Sequence, residues 1–136
     1  MAKPLGLAIN HGESQPFESS GGLSPGTAVG FDGNGQLAPA LSDSKSGTTD
    51  IGPVVGVVAD TVDPDHGAGA LISIYTAGTV VTKVAAGATL GALGPSATAG
   101  ELASGSGAGV AFSAEGGQYR GQIPSGAAAV RFGGVQ

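Results

Sequence analysis

The sequence predicts an all-β protein. Short stretches rich in β-branched residues recur along the chain and are separated by Gly, Pro, Asp and Asn. Glycine accounts for 27 of the 136 residues and interrupts nearly every stretch long enough for an amphipathic helix. Hydrophobic residues make up 40% of the chain, but most are Ala and Val, and only 4% of the residues are aromatic. We therefore expect a small β-barrel or sandwich with a thin core.

Residues 1–25 are predicted to form an extended N-terminal arm, ahead of a single β domain at residues 26–136. The arm has one short apolar run, at residues 5–9, followed by a Gly- and Ser-rich stretch that cannot build a core. Leu5, Leu7 and Ile9 alternate with small residues, as in a segment that adds to a sheet edge of a neighbouring chain. We expect these three residues to contact a partner protein or another subunit.

The predicted strands follow in order from residue 27. They cover residues 27–31, 53–59, 70–76, 79–84, 110–113 and 127–132. The best hairpin turn is residues 32–35, Asp-Gly-Asn-Gly, because Gly and Asn accept the positive φ of a tight turn. Residues 84–93 suit a helix or a strand, and their glycines favour strand and turn.

The chain also contains an apparent internal repeat, with half-repeats at residues 26–76 and 87–132. Four short Gly- and Ala-containing segments of the first half recur in the same order in the second half. The matched segments are residues 26–30 with 87–91, 35–38 with 100–103, 56–59 with 109–111, and 67–72 with 126–131. Two such halves, each with one apolar face, could close on one another about a pseudo-twofold axis.

Charge and composition exclude several classes of function. The net charge is -5, and the five Lys and Arg residues never cluster, so we expect no nucleic-acid partner. No apolar run is long enough for a transmembrane helix, so we expect no membrane partner. Cysteine is absent, which removes disulfides and thiolate chemistry. The thin core favours self-association or docking on another protein.

The sequence contains the residue pattern of a serine-hydrolase motif but lacks a group that the motif needs for catalysis. Residues 22–26 read Gly-Leu-Ser-Pro-Gly, with Asp60 and His66 downstream of Ser24. In that motif the residue after the nucleophile donates its backbone N–H to the oxyanion, but here it is Pro25, which has none. We therefore predict that the chain is not an enzyme.

The densest polar group is formed by Asp60, Asp63, Asp65 and His66. Carboxylates at this spacing can share a hard cation such as Ca²⁺. The same residues also suit a connecting turn, in which Asp caps the backbone and Pro64 ends the strand ladder. We favour the turn and predict no metal or other cofactor, while the ion alternative stays open.

Five other features suggest weaker alternatives. Asp32, Asn34 and Gln36 have the opening spacing of a calcium loop, but Asp43 stands where that loop needs Glu. A predicted strand follows the alternating glycines, whereas a dinucleotide-binding site needs a helix there. The lysine lies within a predicted strand, which suits a solvated lysine better than the modified lysine of a lipoyl or biotinyl carrier. The aromatic residues suit sparse core or interface contacts, and the histidine is a lone residue of the arm. The residues concerned are Gly105, Gly107, Gly109, Lys83, Phe17, Phe31, Phe112, Phe132 and His11.

The order of segments resembles the capsid decoration, or cement, proteins of tailed viruses. The resemblance covers about residues 23–133. It rests on a Gly-Thr-Ala-Val hairpin, a Gly-Pro-Val-Val-Gly-Val-Val-Ala strand, an Ala-Leu-Ile-Ser-Ile-Tyr-Thr-Ala-Gly strand, a Val-Ala-Ala-Gly-Ala-Thr-Leu-Gly hairpin, a Gly-Glu-Leu segment and a closing Ala-Ala-Ala-Val-Arg-Phe strand. The arm before Leu23 and the polar insertion at residues 42–50 depart from this pattern.

The resemblance implies a small β-barrel-like protein, a structural virion component on the outer capsid surface. Such proteins bind an assembled shell of an HK97-type major capsid protein, often as trimers, so the implied partners are that capsid protein and further copies of the chain. On this basis Leu5, Leu7 and Ile9 become expected capsid or subunit contacts. The alternative is another β-rich virion module, such as a tail, fibre or spike component.

Overall fold

The computed structural model describes residues 3–42, 45–46, 49–85, 91–105, 109–114 and 122–132. All regular secondary structure within these ranges is β-strand, so the all-β prediction is confirmed. The strands are β1 (Ala8–Glu18), β2 (Ala28–Phe31), β3 (Leu37–Pro39), β4 (Lys45–Ser46), β5 (Thr49–Asp50), β6 (Gly56–Val58), β7 (Leu71–Lys83), β8 (Gly91–Pro95), β9 (Leu102–Ser104), β10 (Gly109–Ala114) and β11 (Ala127–Phe132).

One antiparallel sheet contains all of these strands except β4 and β5. Its order is β3-β2-β6-β7-β11-β10-β8-β9, and β1 pairs with β7 outside this path. Strands β4 and β5 pair only with each other among the described strands, within the polar insertion. Residues 86–90 of the ambiguous segment 84–93 lie outside the described residues.

The β2–β3 hairpin forms where the sequence predicts it. Asp32 N–H donates to Gln36 O at 2.8 Å, and the Asp32 carboxylate accepts the N–H groups of Asn34 and Gln36 at 2.9 and 3.0 Å. Gly35 has φ 76°, a conformation that strongly favours glycine. Asp32, whose spacing to Asn34 and Gln36 suggested a calcium loop, thus uses its carboxylate to cap the turn in which it lies.

The 13-residue strand β7 organises the sheet. It joins the two predicted strands at residues 70–76 and 79–84, which the sequence analysis separated at Gly78. Gly78 has φ 106° and still pairs with Phe132, so the strand continues through it. β6 pairs with β7 at Ile74 and Tyr75, and β11 pairs with residues 78–83.

The predicted N-terminal arm is instead largely a strand of the sheet. β1 runs antiparallel along β7, with Glu18 opposite Leu71 and Ala8 opposite Val80. Its ladder has register shifts between residues 8 and 14. The side chains of residues 13–16 are exposed, which is why this strand tolerates a polar sequence without alternating hydrophobic residues. The boundary between arm and domain at residue 25 is therefore revised.

The strand pairings at residues 13–76, the first half, correspond to those at residues 78–132, the second half. The corresponding pairs are Glu18↔Leu71 with Lys83↔Ala127, Gln15↔Ile74 with Val80↔Val130, Ala28↔Val57 with Ala92↔Val110, Val58↔Ile74 with Ala111↔Val130, and Gly30↔Ala38 with Gly94↔Ala103. Parallel bridges Ser19↔Leu37 and Val84↔Leu102 also correspond. β7 contributes to both halves.

The predicted repeat stays a prediction, and the corresponding pairings have other boundaries than its half-repeats. The first half includes β1, and the second begins within β7 rather than at residue 87. Two of the four sequence matches agree with the pairing. In the match of residues 26–30 with 87–91, the strand pairing places Gly94 at the position that corresponds to Gly30. In the match of residues 67–72 with 126–131, it places Ile74, rather than Leu71, at the position that corresponds to Val130. Residues 87–90, which belong to the predicted match with residues 26–30, lie outside the described residues.

Three apolar clusters form the core. The first-half cluster includes Val29, Leu37 and Ile74, and a second cluster, centred on the second half, includes Leu93 and Val130. The third cluster consists of Val81, Ile123, Ala127 and Ala129, with Leu5, Leu7 and Ile9 packed against it. Most of these core side chains are Val, Ala, Leu or Ile, so the core is as thin as its composition predicts.

Candidate functional site

Leu5, Leu7 and Ile9, the predicted partner contacts, pack on their own chain. All three are half-buried and lie against the third cluster, on the outward face of the second half. Hydrogen bonds fix the segment, since Gly6 N–H donates to Val81 O at 2.8 Å and Val81 N–H donates to Leu7 O at 2.9 Å. Their contact with a capsid or another subunit stays a prediction.

Gly6 brings this segment close to the domain. Its φ is 81°, and a Cβ at this position would lie 2.6 Å from Val58 O and 2.7 Å from Asp60 N. The Gly6 carbonyl accepts the Asp60 N–H at 3.0 Å. Only glycine allows this approach without moving the backbone.

Ser24 belongs to a different cluster from the one the hydrolase motif requires. Its hydroxyl accepts a hydrogen bond from Lys83 Nζ at 2.7 Å and lies 3.2 Å from Thr27 Oγ1. Lys83 Nζ also donates to Thr27 Oγ1 at 3.2 Å. The half-buried Lys83 thus ties the turn before β2 to the end of β7, so it is not the solvated strand lysine that the sequence predicts.

Asp60, Asp63, Asp65 and His66 lie in the loop between β6 and β7. The Asp63 carboxylate accepts the Asp65 N–H at 2.9 Å, and Asp63 O accepts the His66 N–H at 3.1 Å. These are the turn contacts that the sequence favours. Within the described residues, no group of three or more His, Asp or Glu side chains is placed to hold a metal ion.

His66 has a partner that the sequence analysis missed. The hydroxyl of Ser19, a fully buried residue, lies 2.7 Å from His66 Nε2, and His66 Nδ1 lies 2.6 Å from Asp63 O. Leu23 N–H also points to Nε2, at 3.4 Å, which assigns the proton to Nδ1. Ser19 then donates to Nε2 and accepts the Gly21 N–H at 2.9 Å. The contact links this loop to the end of β1.

The structure shows where several residues of the weaker sequence alternatives lie. Phe17 and Phe31 make an edge-to-face contact with ring centroids 5.2 Å apart, and Phe132 is buried. A strand follows Gly109, as the sequence predicts. Outside the described residues lie Asp43, Gly107 and the side chains of His11 and Phe112.

Among the described residues, Leu71 is the exposed large apolar side chain, at 72%. We define the Leu71 face as Pro16 and Glu18 of β1 with Leu71 and Ser73 of β7. Glu18 stands opposite Leu71, and Pro16 stands opposite Ser73, so these four side chains lie on one face of the two strands. Glu18 and Pro16 are also exposed. This face is the best candidate for contact with another protein.

Comparison with known proteins gives no relative for this chain. No protein-family model matches it, and no curated protein or solved structure matches it either. Among the described residues, no helix has the length and apolar character needed to span a membrane.

Proposed function

We propose that this chain is a decoration protein that binds the outer surface of an assembled viral capsid and stabilises it. The observation that carries the proposal is the order of segments, which resembles that of the cement proteins of tailed viruses. Within the described residues, four of the sequence segments that carry the resemblance overlap with β2, β6, β7 and β11, which belong to one sheet. The all-β fold agrees with what the resemblance implies.

The proposed role requires binding and no catalysis. A protein that binds the assembled shell better than its separate subunits shifts the equilibrium towards the shell by mass action. It needs a compact fold and a surface complementary to the lattice. The thin core and the exposed Leu71 face agree with a protein that works in contact with others.

The direct test is reconstitution on shells made without this chain. The purified protein is added to expanded shells of the same particle, and the bound fraction is measured by sedimentation together with the disruption temperature of the shells. We expect saturable binding and a higher disruption temperature. Binding to isolated tails but not to shells would favour the alternative of a tail, fibre or spike component.

A further inference from the structure

The corresponding faces of the two halves differ in what covers them. In the second half, Val81, Ala127 and Ala129 correspond to Pro16, Leu71 and Ser73 of the first half. The N-terminal residues Leu5, Leu7 and Ile9 cover the second-half face. Among the described residues, no such apolar segment packs on the Leu71 face, and Leu71 is left 72% exposed where Ala127 is fully buried.

Backbone pairing also differs between the two faces. Val81 uses both its N–H and its C=O to bind the N-terminal segment. Pro16, at the corresponding position, has no N–H to donate. Proline on an exposed strand also prevents regular strand addition. An occupant of the Leu71 face therefore docks mainly through side chains, without a continuous ladder of backbone hydrogen bonds.

The charges around Leu71 specify the chemistry of that occupant. Within the described residues, the Glu18 carboxylate accepts a hydrogen bond at 2.8 Å from the amide of Gln36, a neutral group that does not offset its charge. The Ser19–His66 contact brings the loop with the exposed Asp63 and Asp65 to the end of β1. A leucine opposite a carboxylate, with two further carboxylates in the loop held at the end of β1, is complementary to an apolar side chain flanked by Lys or Arg.

We propose that the Leu71 face is the docking surface for the capsid, and that it takes a capsid segment with an apolar anchor flanked by Lys or Arg. This inference rests on the proposed function. It assigns the contact to the first half, whereas the N-terminal residues Leu5, Leu7 and Ile9 serve the fold of the second half.

The test compares single variants in binding to shells made without this chain. Leu71→Ser removes the anchor contact, and Glu18→Gln removes the charge but keeps a group that can pair with Gln36. We expect each to weaken shell binding at least tenfold, and added salt to weaken the wild type more than Glu18→Gln. Thr98→Gln, on the exposed β8–β9 turn, is the control and should bind as the wild type does.

The possible failures are distinguishable. Wild-type affinity in both Leu71→Ser and Glu18→Gln would overturn the docking surface and leave the proposed function standing. Loss of self-association in Leu71→Ser, with unchanged affinity per bound subunit, would also overturn it by assigning the face to subunit contact. Absence of wild-type binding to shells would overturn both proposals. Because Leu71 and Glu18 are exposed, circular dichroism and thermal unfolding should match the wild type, which confirms that the variants fold.

Discussion

Single residues at the N-terminal segment hold it against the domain. Gly6 combines a left-handed backbone with contacts too close for a Cβ, and its neighbours Leu5 and Leu7 pack on the third cluster. The sequence shows the apolar alternation of this segment but not where the segment packs. A glycine at one position is compatible with many conformations, so its close approach to Val58 could not be predicted.

Replacing Gly6 by alanine should destabilise the protein. The left-handed conformation costs a non-glycine residue about 1–2 kcal/mol, and the contact with Val58 O adds to this cost. Gly35→Ala is the matched control, because Gly35 has φ 76° with no atom within 4 Å of the added Cβ. Chemical denaturation should give a larger loss for Gly6→Ala, and equal losses would contradict the tight contact.

Ser19→Ala should destabilise the protein by about 1–3 kcal/mol, because it removes the hydroxyl that pairs with the Gly21 N–H and with His66 Nε2 in a partly buried site. Ser20→Ala, at the next, half-buried residue, should change stability by less than about 0.5 kcal/mol. A double-mutant cycle with His66→Ala measures the coupling. Additive effects of Ser19→Ala and His66→Ala would show that the contact contributes nothing.

At the scale of elements, local sequence predicts strands best where the turn is encoded beside them. The β2–β3 hairpin is predictable because Asp32 and Gly35 supply the cap and the positive φ within one short segment. β1 is not predictable, because its pairing with β7 comes from residues far along the chain and its exposed side chains are polar. The Ser19–His66 contact joins residues 47 positions apart and has no local signal.

The N-terminal segment should contribute to stability. Leu7→Ala removes part of a half-buried side chain that covers the third cluster, so we expect a loss of about 1–2 kcal/mol, below the usual range for a fully buried leucine. Leu71→Ala is the control, since an exposed leucine should change the unfolding free energy by less than about 0.5 kcal/mol. Equal losses in both variants would contradict the packing of this segment.

At the scale of the whole molecule, the corresponding pairings describe two small halves that share β7. Each half buries few large side chains, so the strand ladders and the shared strand hold much of the fold together. The many glycines fit this architecture where they occupy tight turns and close backbone contacts. The sequence predicts the fold class and carries the resemblance. The difference between the two outward faces can be seen only once the pairing of β1 with β7 is known.

The most direct test of the central claim is a cryo-EM map of the purified particle that contains this chain. We predict density for the all-β fold on the outside of the icosahedral shell, with the Leu71 face towards the capsid subunits. Density for the chain in the tail, with none on the shell, would contradict the proposed function. Shell density with the Leu71 face pointing to solvent would contradict the docking surface alone.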